Sequence, residues 1–525
     1  MKLDRSAAGV FAVSLALLCA CGGKTGKAPS ADAFKVLAGS ELKDIETNFK
    51  DDIRGATGID LAFTYSGSLD AVDRLAAGEQ FDALWVSHGK YLAMNEALKG
   101  RILAQDKTML SPVLLGLKTS KARALGWDSA EPTWKDISDA ARDGKFTFGM
   151  TNPTSSNTGL TATIGLAAAL AKNPDNMTEA DLKNPRLADF FRGQSLTSGS
   201  SGWLAESYER DQTRADGIIN YESVLLSLNA GGKLAEPLTL VYPKEGIITA
   251  DYPLMLLSAS KRAGYDKLVA YVRSKDFQTR MSEKTLRRPV NADAVTAAAI
   301  PKRVLIELPF PGQASQIESL LDNFLSDVRI PGSSRYVLDL SGSMSGTRIS
   351  GLKEAMLMLA SDAPAQRFAR FLNREEVGVI TFSSDTAPTK LFEMGSTTAE
   401  NAAARAAVSN FIRPLEAGGG TAIYSSVAQA LTELGQERAS NKAKRYYTVV
   451  LMTDGVNNRG FTQDQFRKWY TEQGASVAGI RVFPILFGEG DLKALTELAD
   501  LTGGRVFDSR TKSLAAAFKE IRGYQ

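Results

Sequence analysis

Residues 34–300 alternate short apolar runs with amphipathic runs of helical period. The apolar runs at 34–38, 59–65, 83–86, 113–117 and 238–241 have the length and composition of strands. Helical periodicity marks the runs at 42–53, 69–77, 159–171 and 267–272. Strands that alternate with helices are typical of α/β folds, so an α/β domain is predicted here.

A second alternating series begins at Arg335, after the turn-forming cluster Pro331-Gly332-Ser333-Ser334. Its predicted strands are 336–340, 377–382, 447–452, 481–487 and 505–507, and its predicted helices are 350–360, 399–411, 422–434, 462–473 and 491–501. The runs at 447–452 and 481–487 are almost continuously apolar, and such strands must be covered on both faces. The series predicts a doubly wound parallel sheet, joined to the first domain through one helix at about 314–328.

The N-terminus has a different pattern. Lys2 and Arg5 precede an apolar run at 7–18, which has the length of a signal peptide and is short for a membrane span. Residues 22–33 are rich in Gly, Lys, Ser and Ala, which is typical of a flexible tether. No later run reaches the roughly 18 apolar residues of a transmembrane helix, so none is expected.

Composition narrows the candidate chemistry. The 525 residues are too many for one core, and a formal net charge of +3 gives no reason to expect a nucleic-acid partner. His88 is the single histidine, and Cys19 and Cys21 are the two cysteines. A Cys/His zinc site in the folded domains is therefore excluded, and any metal must bind oxygen. The sequence has no nucleophile elbow and no Walker-type loop, so we expect that the protein is not an enzyme.

Oxygen side chains cluster where predicted strands end or helices begin in the second series. Asp339, Ser341 and Ser343 alternate after the first strand, Thr421 follows three glycines, and Asp454 follows a buried strand. Parallel strands gather their carboxyl ends at one sheet edge, where five such oxygens suit a hard cation, Mg²⁺ or Mn²⁺. Each segment alone also has a simpler interpretation, a serine N-cap at 341 or 343 and an ordinary Thr-Asp-Gly turn.

The combination of Asp-x-Ser-x-Ser, a threonine after a glycine-rich turn, and Thr-Asp-Gly after an apolar strand resembles the metal-ion-dependent adhesion site of von Willebrand factor A (VWA) domains. The resemblance covers roughly residues 334–525 and implies a Rossmann-like fold. It implies that Asp339, Ser341, Ser343, Thr421 and Asp454 bind the ion, directly or through water. It also implies a protein partner that offers a carboxylate to the metal.

The run Leu18-Cys19-Ala20-Cys21 resembles the lipobox of bacterial lipoproteins. Cys21 follows the small residue Ala20, as the family requires, whereas Cys19 follows the bulky Leu18. The resemblance implies cleavage before Cys21 and its acylation, so that a lipid anchor holds the protein at a bacterial membrane, facing the periplasm or the cell exterior. An ordinary cleaved signal peptide is the alternative.

Residues 34–300 resemble type 2 periplasmic solute-binding proteins, near the molybdate-type oxyanion binders. The resemblance rests on Val36-Leu37-Ala38-Gly39-Ser40, Tyr65-Ser66-Gly67-Ser68 and Ser155-Ser156-Asn157-Thr158-Gly159. It implies two lobes, crossings between them at 113–117 and 238–241, and a small anionic solute. The candidate ligand residues all carry hydroxyl groups: Ser40, Ser66, Ser68, Ser156, Thr158 and Tyr221. Serines that only cap helices, or a clamp that has kept its fold without a ligand, are the alternatives.

These expectations divide the chain into a signal peptide (1–20), a tether (21–33), a two-lobed domain (34–300), a connecting helix and linker (301–333) and a VWA domain (334–525). The expected function is a membrane-anchored lipoprotein that binds a protein partner through a divalent metal. Its first domain is expected to sense a small anion. The alternative is the solute-binding component of a transport system with an accessory VWA domain.

Overall fold

The computed structural model describes residues 32–76, 78–95, 98, 100–363, 370–441, 443–488, 490–509 and 514–524. The expected signal peptide and the lipidation site Cys21 lie outside these residues. No helix in the described part of the chain combines the length and the apolar character needed to cross a membrane.

Strands and helices are numbered in chain order. The strands are β1 (Phe34–Gly39), β2 (Leu61–Ser66), β3 (Ala83–Trp85), β4 (Ala104–Lys107), β5 (Met109–Lys118), β6 (Phe148–Thr151), β7 (Gln194–Ser198), β8 (Gly217–Tyr221), β9 (Leu238–Val241), β10 (Thr249–Ala250), β11 (Pro253–Leu256), β12 (Arg288–Pro289), β13 (Gly332–Asp339), β14 (Glu376–Phe382), β15 (Lys390–Glu393), β16 (Tyr446–Thr453), β17 (Arg481–Leu486) and β18 (Phe507–Asp508). The helices are α1 (Lys43–Thr57), α2 (Ser68–Ala76), α3 (Lys90–Met94), α4 (Thr119–Ala124), α5 (Trp134–Arg142), α6 (Asn157–Leu170), α7 (Glu179–Leu182), α8 (Pro185–Arg192), α9 (Ser201–Arg210), α10 (Glu222–Ala230), α11 (Arg262–Val272), α12 (Lys275–Thr285), α13 (Ala314–Asn323), α14 (Thr347–Leu359), α15 (Thr398–Ile412), α16 (Ile423–Ser440), α17 (Gln463–Gln473), α18 (Leu492–Thr502) and α19 (Leu514–Arg522).

The first domain has two lobes, each built on its own sheet. The first lobe has the strand order β2-β1-β3-β11-β4, and helix α1 covers it with the buried side chains Ile45, Phe49 and Ile53. These three side chains recur every four residues, so they form one apolar face of the helix. The second lobe has the order β10-β5-β8-β6-β7, with β9 and β12 also paired to β5.

The predicted crossings between the lobes are wrong. The runs at 113–117 and 238–241 lie in strands β5 and β9, which pair antiparallel inside the sheet of the second lobe. The chain instead crosses between β4 and β5, and again between β10 and β11. At the crossing Thr108 Oγ1 donates to the carbonyl of Tyr252 at 2.6 Å and accepts from Trp85 Nε1 at 3.0 Å. Long apolar runs do not distinguish a hinge strand from a central strand, because both are buried.

The second domain is built on one six-stranded sheet with the order β15-β14-β13-β16-β17-β18. Strands β14, β13, β16, β17 and β18 are parallel to one another, and β15 pairs antiparallel at the edge. Every residue of β13 and β17 is buried, as expected for central strands with helices on both faces. Part of the cluster Pro331-Gly332-Ser333-Ser334, which was predicted to join the two domains, belongs to the sheet. Strand β13 begins at Gly332, which pairs with Tyr446, and Ser333 pairs with Glu376.

The linker and the C-terminal helix attach the second domain to the second lobe. Helix α13 adds Ile317, Leu320 and Leu321 to the core of the first domain. At the end of α19, the carbonyl of Gly523 accepts from Thr197 Oγ1 at 3.2 Å. A Cβ atom on Gly523 would lie 2.5 Å from the Cα atom of Gly199, so the two backbones approach closely.

Candidate functional site

The carboxyl edge of the second sheet gathers the five residues predicted to bind a metal. Asp339 ends β13, where its Oδ1 accepts from the backbone N–H of Ser341 at 2.8 Å. Its Oδ2 accepts from Thr453 Oγ1 at 2.5 Å, and Thr453 ends the neighbouring strand β16. These two bonds fix the carboxylate at the end of the sheet.

The two serines turn toward Asp454 and not toward the backbone. Ser341 is the N-cap of a short 3₁₀ turn, but its side chain makes no capping bond and lies 3.0 Å from Ser343 Oγ. Ser343 Oγ donates to Asp454 Oδ1 at 2.8 Å. The simpler interpretation of these serines as helix caps therefore does not match the geometry.

The glycine-rich turn brings Thr421 to the same place. Gly419 has a φ of 88°, a conformation that glycine adopts without strain, and its carbonyl accepts from the N–H of Gly342 at 3.1 Å. A Cβ atom on Gly455 would lie 3.2 Å from Thr421 Cγ2, and 3.6 Å from both Asp339 Oδ2 and Ser343 Oγ. The five predicted residues therefore lie together at the carboxyl end of the sheet, with Ser341 and Asp454 linked through Ser343 and with the methyl group of Thr421 nearby.

Burial and charge make this point suited to a cation. Asp339, Ser341, Thr421 and Asp454 are buried, whereas Ser343 is exposed and opens the site to solvent. Burial raises the pKa of Asp339, and the nearby charge of Asp454 adds to this rise. Two neighbouring carboxylates with serine hydroxyls beside them are a donor set whose chemistry fits Mg²⁺ or Mn²⁺. Among the described residues, no group of three or more His, Cys, Asp and Glu side chains forms a metal site, and here hydroxyls supply the other oxygens.

Arg348 is a residue of this site that the sequence did not indicate. Its guanidinium, from the first turn of α14, pairs with Asp454 Oδ2 and donates to the carbonyl of Ser343 at 3.1 Å. The chain thus places its own positive charge beside one of the two carboxylates. A cation that binds both carboxylates has to compete with Arg348 for Asp454.

The candidate solute site lies between the lobes of the first domain. All six predicted residues are buried: Ser40, Ser66, Ser68, Ser156, Thr158 and Tyr221. Ser68 Oγ lies 3.1 Å from Ser87 Oγ, the Tyr221 hydroxyl shares a hydrogen bond with Ser87, and Asn157 Nδ2 donates to the same hydroxyl at 3.2 Å. Because Ser87 belongs to the first lobe and Tyr221 to the second, this chain of hydrogen bonds joins the lobes.

The remaining predicted residues also bind protein groups. Thr158 Oγ1 lies 2.7 Å from Thr151 Oγ1 and 3.5 Å from Ser156 Oγ, and Ser156 makes no capping bond to α6. Ser40 Oγ accepts from the N–H of Gly202 across the cleft at 3.4 Å. Ser40 and the Ser87–Tyr221 pair therefore bond across the cleft, whereas Ser156 and Thr158 bond within the second lobe.

His88 is a structural residue in this arrangement. It is buried, and its ring stacks on Phe310 of the linker with 4.7 Å between ring centroids. Burial lowers the pKa of His88 to about 4. At neutral pH the ring is therefore uncharged and packs on its aromatic neighbour.

Comparisons with known proteins match the two halves of the chain separately. Residues 34–284 match the family model for bacterial extracellular solute-binding proteins, and residues 336–520 match the model for von Willebrand factor type A domains. The chain therefore carries a bacterial solute-binding domain followed by a VWA domain. The expected α/β fold class is confirmed for both.

Individual proteins are only distantly similar. Inter-alpha-trypsin inhibitor heavy chain H3 of Pongo abelii and that of Homo sapiens are each 27% identical over 133 residues, which is 25% of this chain. The match spans 14% of the length of those two proteins. Among solved structures, a periplasmic binding protein of Actinobacillus pleuropneumoniae with fructose-6-phosphate bound is 15% identical, with a TM-score of 0.42, over 56% of this chain and 98% of its own. The ferric binding protein of Campylobacter jejuni is 12% identical, with a TM-score of 0.42, over 55% of this chain and 96% of its own.

Proposed function

We propose that this chain is an exported, lipid-anchored binding protein that docks a protein partner through a divalent metal in its VWA domain. The observation that carries the proposal is the meeting of Asp339, Ser341, Ser343, Thr421 and Asp454 at one sheet edge, with Ser343 exposed. These side chains would hold Mg²⁺ or Mn²⁺. The bound ion would supply a positive charge that attracts a carboxylate of the partner. The protein acts by binding and not by catalysis.

The chain's own groups prepare the site before any partner arrives. The bonds from Thr453 and from the Ser341 N–H orient Asp339, and the bond from Ser343 orients Asp454. Oriented ligands lose less conformational freedom when they bind an ion or a partner. Anchoring at a bacterial membrane through Cys21 is part of the proposal, with the two domains facing the periplasm or the cell exterior.

Calorimetric titration of the full chain with Mg²⁺ and with Mn²⁺ tests the metal site. We expect saturable heat for the parent, and its loss in Asp339→Ala, because one of two carboxylates and the partner of Thr453 disappear together. The matched control is Asp464→Ala, an exposed aspartate of α17 in the same domain, which should bind like the parent. Equal heats in the parent and in Asp339→Ala would overturn the proposal.

A further inference from the structure

A basic cavity lies between the second lobe and the VWA sheet. It is at the amino ends of the VWA strands, whereas the candidate metal site is at their carboxyl ends. The cavity has a volume of about 440 Å³. Its walls come from β7 and the 211–214 turn on one side, and from the amino ends of β16 and β17 on the other. The described residues of its lining include five basic side chains and one acid: Arg214, Arg438, Lys444, Arg445, Arg481 and Asp211.

Arg481 is the central residue of this cavity. It is only 4% exposed, and its Nη1 donates to the carbonyl of Thr197 in the second lobe at 3.2 Å. Its Nε and Nη2 atoms are buried without a hydrogen-bond partner in the described part of the chain. Burial lowers the pKa of Arg481 to about 9, and the positive charge of Arg214 adds to this effect. Burial of a guanidinium without a nearby anion destabilises the folded state, so an anion bound in the cavity would stabilise it.

No carboxylate among the described residues pairs with Arg481, although the charge of Asp211 partly offsets the burial that lowers the pKa of Arg214. Asp211 is exposed, and its Oδ1 accepts from the N–H and the hydroxyl of Thr213, within its own turn. None of the ion pairs among the described residues joins Asp211 to Arg481 or Arg214. The Tyr446 hydroxyl, another donor in the lining, is buried without a partner in the same described region. The cavity is thus lined by basic residues in excess, and two of its lining residues, Arg481 and Tyr446, carry buried donors without a hydrogen-bond partner in the described part of the chain.

We propose that this cavity is an oxyanion site that takes a phosphate or sulfate group, either free or carried on a small molecule, with Arg481 as its principal ligand. Guanidinium groups bind such oxygens with paired, charge-assisted hydrogen bonds, and Nε and Nη2 are the two free donors of one side of the fork. Because Arg214 belongs to the second lobe and Arg481 to the VWA domain, the anion binds between the domains and holds them together. The cavity volume of about 440 Å³ is many times the roughly 30 Å³ that one water molecule occupies in the liquid. The cavity therefore has room for an organic group attached to the phosphate or sulfate.

Thermal unfolding of the full chain in phosphate, sulfate or chloride at matched ionic strength tests this site. We expect phosphate and sulfate, but not chloride, to raise the melting temperature of the parent through mass action. Calorimetry with phosphate should show binding at least about tenfold weaker in Arg481→Met and in Arg214→Gln. Arg467→Met, which removes an exposed arginine of α17, is the matched control and should behave like the parent. The affinity for glycerol phosphate, compared with that for inorganic phosphate, distinguishes a carried phosphate from a free one, and glycerol alone is the control.

Two results would overturn the proposal. One is an equal response of the parent to chloride, which would indicate general ionic screening and no site. The other is a phosphate response that survives in Arg214→Gln and Arg481→Met but is lost in the double variant Ser66→Ala with Ser156→Ala, which would place the anion in the cleft between the lobes. If Arg481→Met does not fold, the result with Arg214→Gln decides between these outcomes, because Arg214 is only half-buried.

Discussion

The VWA sheet edge and the cleft between the lobes both gather hydroxyl groups at strand ends, but they use them differently. At the sheet edge the hydroxyls point to two carboxylates, and Ser343 leaves the group open to solvent. In the cleft the hydroxyls of Ser68, Ser87 and Tyr221 bond to one another and join the two lobes. Serines at strand ends therefore do not by themselves identify a ligand site. Whether such serines bind a ligand depends on the charges beside them and on the hydrogen bonds that their hydroxyls already make.

The largest expected effect comes from opening the cleft at Gly67. A Cβ atom there would lie 2.2 Å from the carbonyl oxygen of Ser155, so Gly67→Ala should force the lobes apart. We expect a larger radius of gyration by small-angle scattering and a destabilisation of about 1–3 kcal/mol. Gly55→Ala is the control, because a Cβ atom at Gly55 would have nothing within 4 Å. Unchanged scattering in Gly67→Ala would mean that the lobes are not held by close contact.

A smaller effect should follow from removing the internal cation of the sheet edge. Arg348 pairs with Asp454 through a side chain that is 40% exposed, so the pair is partly screened by water. Arg348→Gln should therefore strengthen Mg²⁺ binding by about two- to fivefold, because the ion no longer competes with the guanidinium. Calorimetric titration with Mg²⁺ measures the difference. The control is Arg413→Gln, which changes an exposed arginine outside the site. Weaker binding would instead show that Arg348 orients Asp454 for the metal.

The smallest effect concerns the acid between the lobes. Glu41 accepts from Ser201 Oγ across the cleft at 3.2 Å, and burial raises its pKa above the ordinary value of 4.5. A raised pKa means that the folded state favours protonated Glu41. The stability that protonated Glu41 contributes is fully present below pH 4.5, and it is lost as pH rises through the folded-state pKa. Glu41→Gln should raise the melting temperature by about 1–4 °C near pH 7.5 and leave it unchanged near pH 4.

Glu206→Gln is the control for that measurement, since the Glu206 side chain is 56% exposed. An equal gain for both variants would indicate a general effect of net charge. A gain for Glu41→Gln that persists near pH 4 would indicate better packing and not the loss of a buried charge.

The proximity of the candidate metal ligands was easier to predict from the sequence than the arrangement of the candidate solute residues. Asp339 ends β13 and Asp454 directly follows β16, and both strands have clear apolar runs, so the two carboxylates are brought to the same end of the sheet by parallel pairing. The bonds among Ser68, Ser87 and Tyr221 depend on how far the two lobes close, and no local pattern records that. The sequence does not indicate Arg348 or Arg481, because the position of a residue in a helix or strand does not show which charged groups lie beside that residue in the fold.

Two elements of the second domain were also not predicted. Strand β15 is short and mostly exposed, so it lacks the apolar run that marks β16 and β17. Helix α19 is held by Phe518 and Ile521, which pack into the VWA core, and by contacts with the second lobe. Both elements depend on tertiary neighbours more than on their own sequence, and periodicity does not detect such elements.

The discontinuity of the first lobe has a consequence for how the molecule forms. Strand β11 lies between β3 and β4, yet roughly 170 residues separate it from β3, and the second lobe occupies most of that interval. During synthesis β3 therefore keeps one unpaired apolar edge until β11 emerges, by which time every strand of the second lobe except β12 has been made. Edges of this kind are the places where nascent chains associate wrongly. We therefore expect the pairing of β3 with β11 to be a late step in the folding of the first lobe.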